Sequence, residues 1–327
     1  MLFNYSMVSK VLILTEAGKN IGFGHYSRCS ALRQALISEG IIVQMMLYLN
    51  KYDIEDSDVI KTNWLSDIES IPEYKEFNTV IVDSYLADLA IYSKLQTIFR
   101  NVVAIDDYNR INYPCSVLIN PNVFFSDLNY SNQTAKCLGG EDYVILRPEF
   151  RNQSHGPLRR NQIEDILITI GGFDFRRILP TIIETCLESA VLLVTIIAPE
   201  GLSKYYSNKN VIILSAQDAE SMFRLMQKAD IVISACGQTL HELASLQKAT
   251  IGICLDIDQE PNQKYYLKKG FLPFNIQWND VDLKDKIKKA LKHYKSLNQR
   301  KTLETNEQCL ININGVFNIV SIIKKFI

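Results

Sequence analysis

The 327-residue chain predicts an α/β protein of two doubly wound parallel-sheet domains facing a cleft. Three observations predict this. Strand-length runs of Val, Ile and Leu alternate with helical stretches along most of the chain. The length suits about two domains of roughly 150 residues. A polar break, RNQSHGPLRRNQ at 151–162, separates two series of such runs.

The elements follow in order. In the first half, VLILT (11–15), IIVQMMLY (41–48), TVIVD (79–83), NVVAID (101–106) and SVLIN (116–120) read as strands, with helices over 25–39 and 88–98. In the second half the strands are DILITI (165–170), VLLVTIIA (191–198), NVIIL (210–214), IVISA (231–235) and TIGICL (250–255). Helices are expected there over 174–189, 218–229 and 238–247. The end, INGVFNIVSIIKKFI, reads as a last helix with one apolar face. The domains are therefore 1–155 and 156–327, with the last helix available to pack back on the first domain. Residues 1–9 read as a loose extension, with Met7 as an alternative start, rather than a signal peptide.

Composition narrows the function. Lys plus Arg is 35 and Asp plus Glu is 36, a net charge of −1, which lacks the basic excess of a nucleic-acid binder. No apolar run reaches the ~18 residues of a membrane span. Seven scattered cysteines without CxxC or zinc spacing read as reduced, packed thiols in a cytoplasmic protein. No obligatory protein partner is implied.

In doubly wound domains, ligands bind at loops that follow strands. The first strand is followed by GKNIGFGHYSR (18–28), where Gly22 and Gly24 admit close backbone approach and a helix start favours an anion. It is not the GxGxxG of a dinucleotide site. His25 stands at that helix start with Arg28 one turn later, both placing positive potential beside the imidazole. A neutral imidazole there suits a general base, and a cap or packing histidine is the alternative. The strand at 231–235 runs into Cys236-Gly237-Gln238-Thr239-Leu240-His241-Glu242. Backbone N–H groups at Gly237, Gln238 and Thr239 can hold a diphosphate, and Glu242 can accept the hydroxyls of a ribose. A helix cap with a capping glutamate has the same spelling. Gly171-Gly172 after the strand at 165–170 is a further close-approach turn.

IGFGHYSRCSALRQAL, VIVDSYLAD, VVAIDDYN, LINPNV, YVILRPEF, ITIGGFD, SACGQTLHELASL and EPNQ occur in this order. Over roughly residues 11–320 the chain resembles the UDP-2,4-diacetamido-2,4,6-trideoxy-β-L-altropyranose hydrolases of pseudaminic acid biosynthesis. That family is similar to the N-acetylglucosaminyltransferase that makes lipid II, with the GT-B fold of two Rossmann-like domains. The resemblance implies a nucleotide-sugar hydrolase that releases UDP and free sugar with inversion and needs no cofactor. It implies His25 as the base that activates water, Tyr85 beside the sugar and Asn262 on sugar or phosphate, with Gln263 next to it. It implies Gly237, Gln238 and Thr239 on the diphosphate and Glu242 on the ribose. The chain departs from the family at Gln238, where a small polar residue is usual, at Pro261 between Glu260 and Asn262, and at Phe173-Asp174.

UDP is a good leaving group, so one base and one water suffice, without the carboxylate pair of ordinary glycosidases. Asp83 and Asp106-Asp107 accordingly read as structural strand ends. The DxD triplets at 56–58, 256–258 and 280–282 read as chance spacings, and no metal is expected. The rivals are a GT-B glycosyltransferase acting from a UDP donor and a non-catalytic nucleotide-sugar binder.

Overall fold

A computed structural model describes residues 10–18, 21–50, 54–66, 68–70, 72–151, 160–171, 174–189, 192–197, 207–305 and 311–327. The expected N-terminal extension, most of the expected linker, and Gly172 and Phe173 lie outside the described residues. The chain forms two compact units, residues 1–146 with 312–327, and residues 147–311. The expected boundary at 155/156 also falls outside the described residues. Arg147 and Phe150 go with the second unit because Arg147 pairs with Glu242 and the Phe150 ring meets Phe223 at 5.5 Å.

The first unit holds β1 (Lys10–Gly18), α1 (Gly24–Ser38), β2 (Ile42–Asn50), β3 (Val59–Lys61), β4 (Thr79–Asp83), α2 (Leu89–Ile98), β5 (Asn101–Ile105), β6 (Val117–Asn120) and β7 (Lys136–Gly139). Its seven strands lie in the order β3-β2-β1-β4-β5-β6-β7, and the pairings are parallel. Successive residues of β1 face opposite sides: Val11 and Ile13 pack in the core under α1, Leu12 and Leu14 in the core under α2. Burial on both faces explains why these strands are unbroken apolar runs. The last helix of the chain, α9 (Gly315–Ile323), packs its Val316, Ile319, Val320 and Ile323 into the same core as α1. It lies so close that a Cβ at Gly315 would collide with the Val144 backbone.

The second unit holds β8 (Asp165–Thr169), α3 (Leu179–Glu188), β9 (Leu193–Ile197), β10 (Val211–Leu214), α4 (Ala219–Lys228), β11 (Ile231–Ala235), α5 (Gln238–Ser245), β12 (Thr250–Cys254), α6 (Glu260–Lys268), β13 (Ile276–Gln277), α7 (Leu283–Tyr294) and α8 (Leu297–Thr305). Its six strands lie in the order β10-β9-β8-β11-β12-β13, again with parallel pairings. Helix α3 starts five residues later than its pattern suggests. The Asp174 carboxylate takes the N–H groups of Ile178 and Leu179 (both 3.0 Å), so the intervening residues form a capping turn instead.

Both sheets reverse direction once. The chain builds outward from β1 to β3 and then returns to place β4 on the other side of β1; β8 and β11 repeat the pattern. Loops following these two strand pairs flank the switch point of each unit, where doubly wound sheets bind ligands.

Candidate functional site

At the switch point of the first unit, β1 ends in a tight turn. Gly18 and Gly22 exchange backbone hydrogen bonds of 3.1 and 2.8 Å, and Gly22 adopts φ of +80°, open to glycine without strain. Helix α1 starts two residues on. Its N-cap, Phe23, supplies no side-chain cap, and its first turn carries no acidic residue. The positive end of the helix is thus not neutralised by its own first turn.

The same turn brings His25 and Arg28 over the ends of β4 and β5. Arg28 makes two forks. Its Nε and Nη2 donate to the two Asp83 oxygens at 2.6 Å each, and Nη1 and Nη2 donate to the Asp107 oxygens at 2.7 and 2.9 Å. Asn122 adds a 2.6 Å bond to Asp107. All are buried: Arg28 is 8%, Asp83 0% and Asp107 4% exposed. Burial opposes charge on both carboxyls, but the Arg28 guanidinium outweighs it and holds both below the usual carboxylate range.

An ionised Asp83 decides the histidine tautomer. His25 Nδ1 lies 2.6 Å from Asp83 Oδ1 and must carry the proton, since the carboxylate can only accept. Arg28 Nη2, 3.1 Å from Nδ1, shares that same carboxylate oxygen. The lone pair is then on Nε2, which makes no hydrogen bond among the described residues. This is the carboxylate–imidazole pairing that orients a general base. The positive potential expected from Arg28 beside the imidazole is matched by two carboxylates.

Tyr85 completes the group. Its hydroxyl donates to Asp107 Oδ2 at 2.6 Å, and its ring meets the His25 ring edge-on at 4.3 Å. Burial and the Asp107 charge push its phenol well above the usual range, so it remains a donor. Its turn is set by Glu16, a fully buried carboxylate at the end of β1. Glu16 accepts from Tyr85 N at 2.7 Å, from Leu86 N at 3.4 Å and from the Ser84 hydroxyl. Gly24, at the start of α1, leaves open space where a side chain would stand.

In the second unit, Gly171 follows β8 at φ of +96°. Gly237 is the N-cap of α5 without a side-chain cap, has open space around it, and leads into half-buried Gln238 and Thr239. The Gln259 side-chain Oε1 accepts from Cys236 N and Leu255 N at 3.1 Å each, fixing the turn before Gly237. Glu242 does not cap α5. Both its oxygens take a fork from Arg147, at 2.6 and 2.9 Å, and it is 2% exposed. Burial pushes its carboxyl up, and Arg147 offsets only part of that.

Asn262, in the first turn of α6, is 6% exposed and its buried Oδ1 has no hydrogen-bond partner among the described residues. Gln263 differs. Its amide donates to Ile276 O at 2.8 Å and accepts from Gln277 at 2.8 Å, tying the edge of β12 and β13 together. His241 likewise serves the interior, bonded to the Tyr266 hydroxyl at 2.8 Å.

Asp106 acts as the expected loop anchor, accepting from Asn109 N and the Tyr113 hydroxyl. Asp83 and Asp107 do more than end their strands: the fold brings Asp83 to His25 and both to Arg28. With Glu16, Asn122 and Arg147 they are the site groups that sequence reasoning missed. For the three acids the one signal was position, near or just past the end of a buried strand; Asn122 and Arg147 carried none. The DxD carboxylates have other partners, such as Arg33 for Asp58, Arg176 for Asp256 and Lys286 for Asp280. Among the described residues no group of three His, Cys, Asp or Glu is arranged to hold a metal. No described helix is long and apolar enough to cross a membrane.

Comparison with known proteins bears on this geometry. Residues 191–313, over a third of the chain, match the glycosyltransferase family 28 C-terminal domain. Among solved structures, MurG of Acinetobacter baumannii aligns with a TM-score of 0.60 at 16% identity, covering 97% of this chain and 99% of that one. The UDP-GlcNAc 2-epimerase of Neisseria meningitidis bound to UDP-GlcNAc aligns at 0.62 and 15%, covering 97% and 100%. S. aureus MnaA in complex with UDP aligns at 0.60 and 12%, covering 97% and 96%. The chain has the GT-B fold. No curated protein matches it in sequence.

Proposed function

We propose that this GT-B protein hydrolyses a UDP-linked 2,4-diacetamido-2,4,6-trideoxyhexose, releasing UDP and the free sugar with inversion, as in the making of pseudaminic acid. The observation that carries the reading is the Asp83–His25 pair, with Nε2 left to act on water at the switch point of the first unit. The family 28 match over 191–313 and the UDP and UDP-GlcNAc held by proteins of this fold support a nucleotide-sugar donor. The diphosphate is assigned to Gly237, Gln238 and Thr239 at the start of α5, with Gly171 nearby in the strand order and Glu242 toward the ribose.

In this reading His25 Nε2 takes a proton as a water oxygen bonds to the anomeric carbon. The bond from that carbon to the β-phosphate oxygen breaks, and its electron pair leaves with UDP. The imidazolium that forms is held beside the Asp83 carboxylate. Tyr85, whose hydroxyl proton is given to Asp107, lies with its ring against the imidazole, and its phenol oxygen can accept from the sugar. Asn262, in the second unit, is assigned by the resemblance to the donor's sugar or phosphate. The uncapped start of α1 and the turn at Gly22 and Gly24 are open to an anion.

A glycosyltransferase reading has one specific support, the family 28 match itself. The two separate on incubation with the UDP-diacetamido sugar, no acceptor, and EDTA. Hydrolysis gives UDP and free sugar in equal amounts. Tight UDP binding with no release until an acceptor is added would instead establish the transferase, and no release with any acceptor a non-catalytic binder.

A further inference from the structure

Beside the charged cluster of the first unit lies a short row of aromatic rings. Tyr85 stands edge-on to His25 at 4.3 Å, and Tyr108 lies 6.2 Å from Tyr85, tilted by 39°. Tyr108 in turn stacks on Phe124 at 6.2 Å and 22°. Phe124 is buried, yet Tyr85 and Tyr108 keep 40% and 37% of their surface exposed.

Neither ring is exposed for want of anchorage. The Tyr85 backbone is tied to Glu16 and its hydroxyl to Asp107, the residue directly before Tyr108. Tyr108 is backed by the Phe124 ring. Two fixed rings, presenting apolar area next to a candidate base at a strand-end switch point, have the character of a binding surface rather than of scattered surface residues.

We propose that Tyr108 forms, with Tyr85, an aromatic platform for the sugar ring, and that Tyr108 selects donors bearing methyl and acetamido groups over fully hydroxylated ones. This deepens the hydrolase reading and rests on it for the placement of the sugar beside His25. The selectivity follows from what a ring face lacks. It has neither strong donor nor acceptor, so a hydroxyl laid against it loses water without gaining a partner. A deoxy methyl or an acetyl methyl gains contact area at the same place.

The test compares affinities for UDP, UDP-GlcNAc and UDP-2,4-diacetamido-2,4,6-trideoxyhexose, measured by calorimetry in a His25→Ala background so that donor is not consumed. The background protein is expected to bind the trideoxy donor about 10- to 100-fold more tightly than UDP-GlcNAc, the span open to apolar discrimination of this kind. Adding Tyr108→Ala is expected to shrink that ratio to a few-fold and leave UDP affinity unchanged. Tyr108→Phe keeps the ring face and is expected to keep the ratio. A ratio that survives Tyr108→Ala overturns the proposal, as does a Tyr108→Ala protein that loses affinity for all three ligands alike. Turnover by the wild-type protein is read separately. Absence of UDP release with the Tyr108-dependent ratio intact would remove the hydrolase reading and leave the platform standing.

Discussion

His25→Ala is expected to lower acceptor-free UDP release by roughly 10²- to 10⁴-fold, the usual range for a positioned general base. UDP affinity should not change, because no group assigned to the nucleotide is touched. Asp83→Asn is expected to approach the same loss by a different route. An asparagine amide can turn its donor toward Nδ1, move the imidazole proton to Nε2 and so remove the base without removing the histidine. The two variants separate base chemistry from ring placement. If Asp83→Asn retained near-normal kcat, the Nδ1 contact at 2.6 Å would be structural and the assignment of Nε2 as base would lose its support.

Arg28→Met is expected to have the largest effect on stability. One guanidinium is the paired cation of two buried carboxylates, so its removal leaves Asp83 with His25 and Asp107 with Asn122 and Tyr85, without that cation. Breaking a buried pair in this way costs about 3–5 kcal/mol. The pH dependence has a definite sign. In the wild-type protein Asp83 and Asp107 titrate below their unfolded values. Their stabilisation is therefore full above about pH 4, near the unfolded aspartate value, and is lost as pH falls below it. Without Arg28, burial raises both carboxyls and His25 is what remains to oppose it. The variant should be much weaker than wild type at pH 7 and should close much of the gap in acid. Urea midpoints at neutral pH and near pH 4 measure this. A gap that stays constant with pH would mean that the forks contribute packing rather than charge pairing.

The fold was legible because its physics repeats. Strands buried on both faces read as apolar runs, and β1, β4, β5, β8, β11 and β12 stand where those runs stand. Three edge strands were not legible: β3, β7 and β13 are two to four residues long and have no continuous apolar run, whereas β10, at the remaining edge, stands on its run. The site was half legible. His25 and Gly237 announce themselves by glycine turns that open helices, a local pattern. Asp83 and Asp107 do not, since their meaning depends on Arg28, 55 and 79 residues away in the chain. Arg147 and Glu242 are 95 residues apart and raise the same difficulty. A strand-end acid is an anchor or a working group according to what the adjacent crossover brings to it. Asp106 and Asp107 are neighbours with opposite outcomes: one ties its loop, the other joins Arg28 and Tyr85.

The central claim is that water activated by His25 attacks the anomeric carbon of a UDP-sugar. It is tested most directly by running the reaction without acceptor in water enriched in the heavy oxygen isotope, and reading both products by mass spectrometry and the first-formed anomer by NMR. The account predicts one heavy oxygen on the anomeric hydroxyl, none in UDP, and a configuration opposite to that of the donor. Heavy oxygen in the UDP phosphate, a retained configuration, or no turnover until an acceptor is supplied would contradict it.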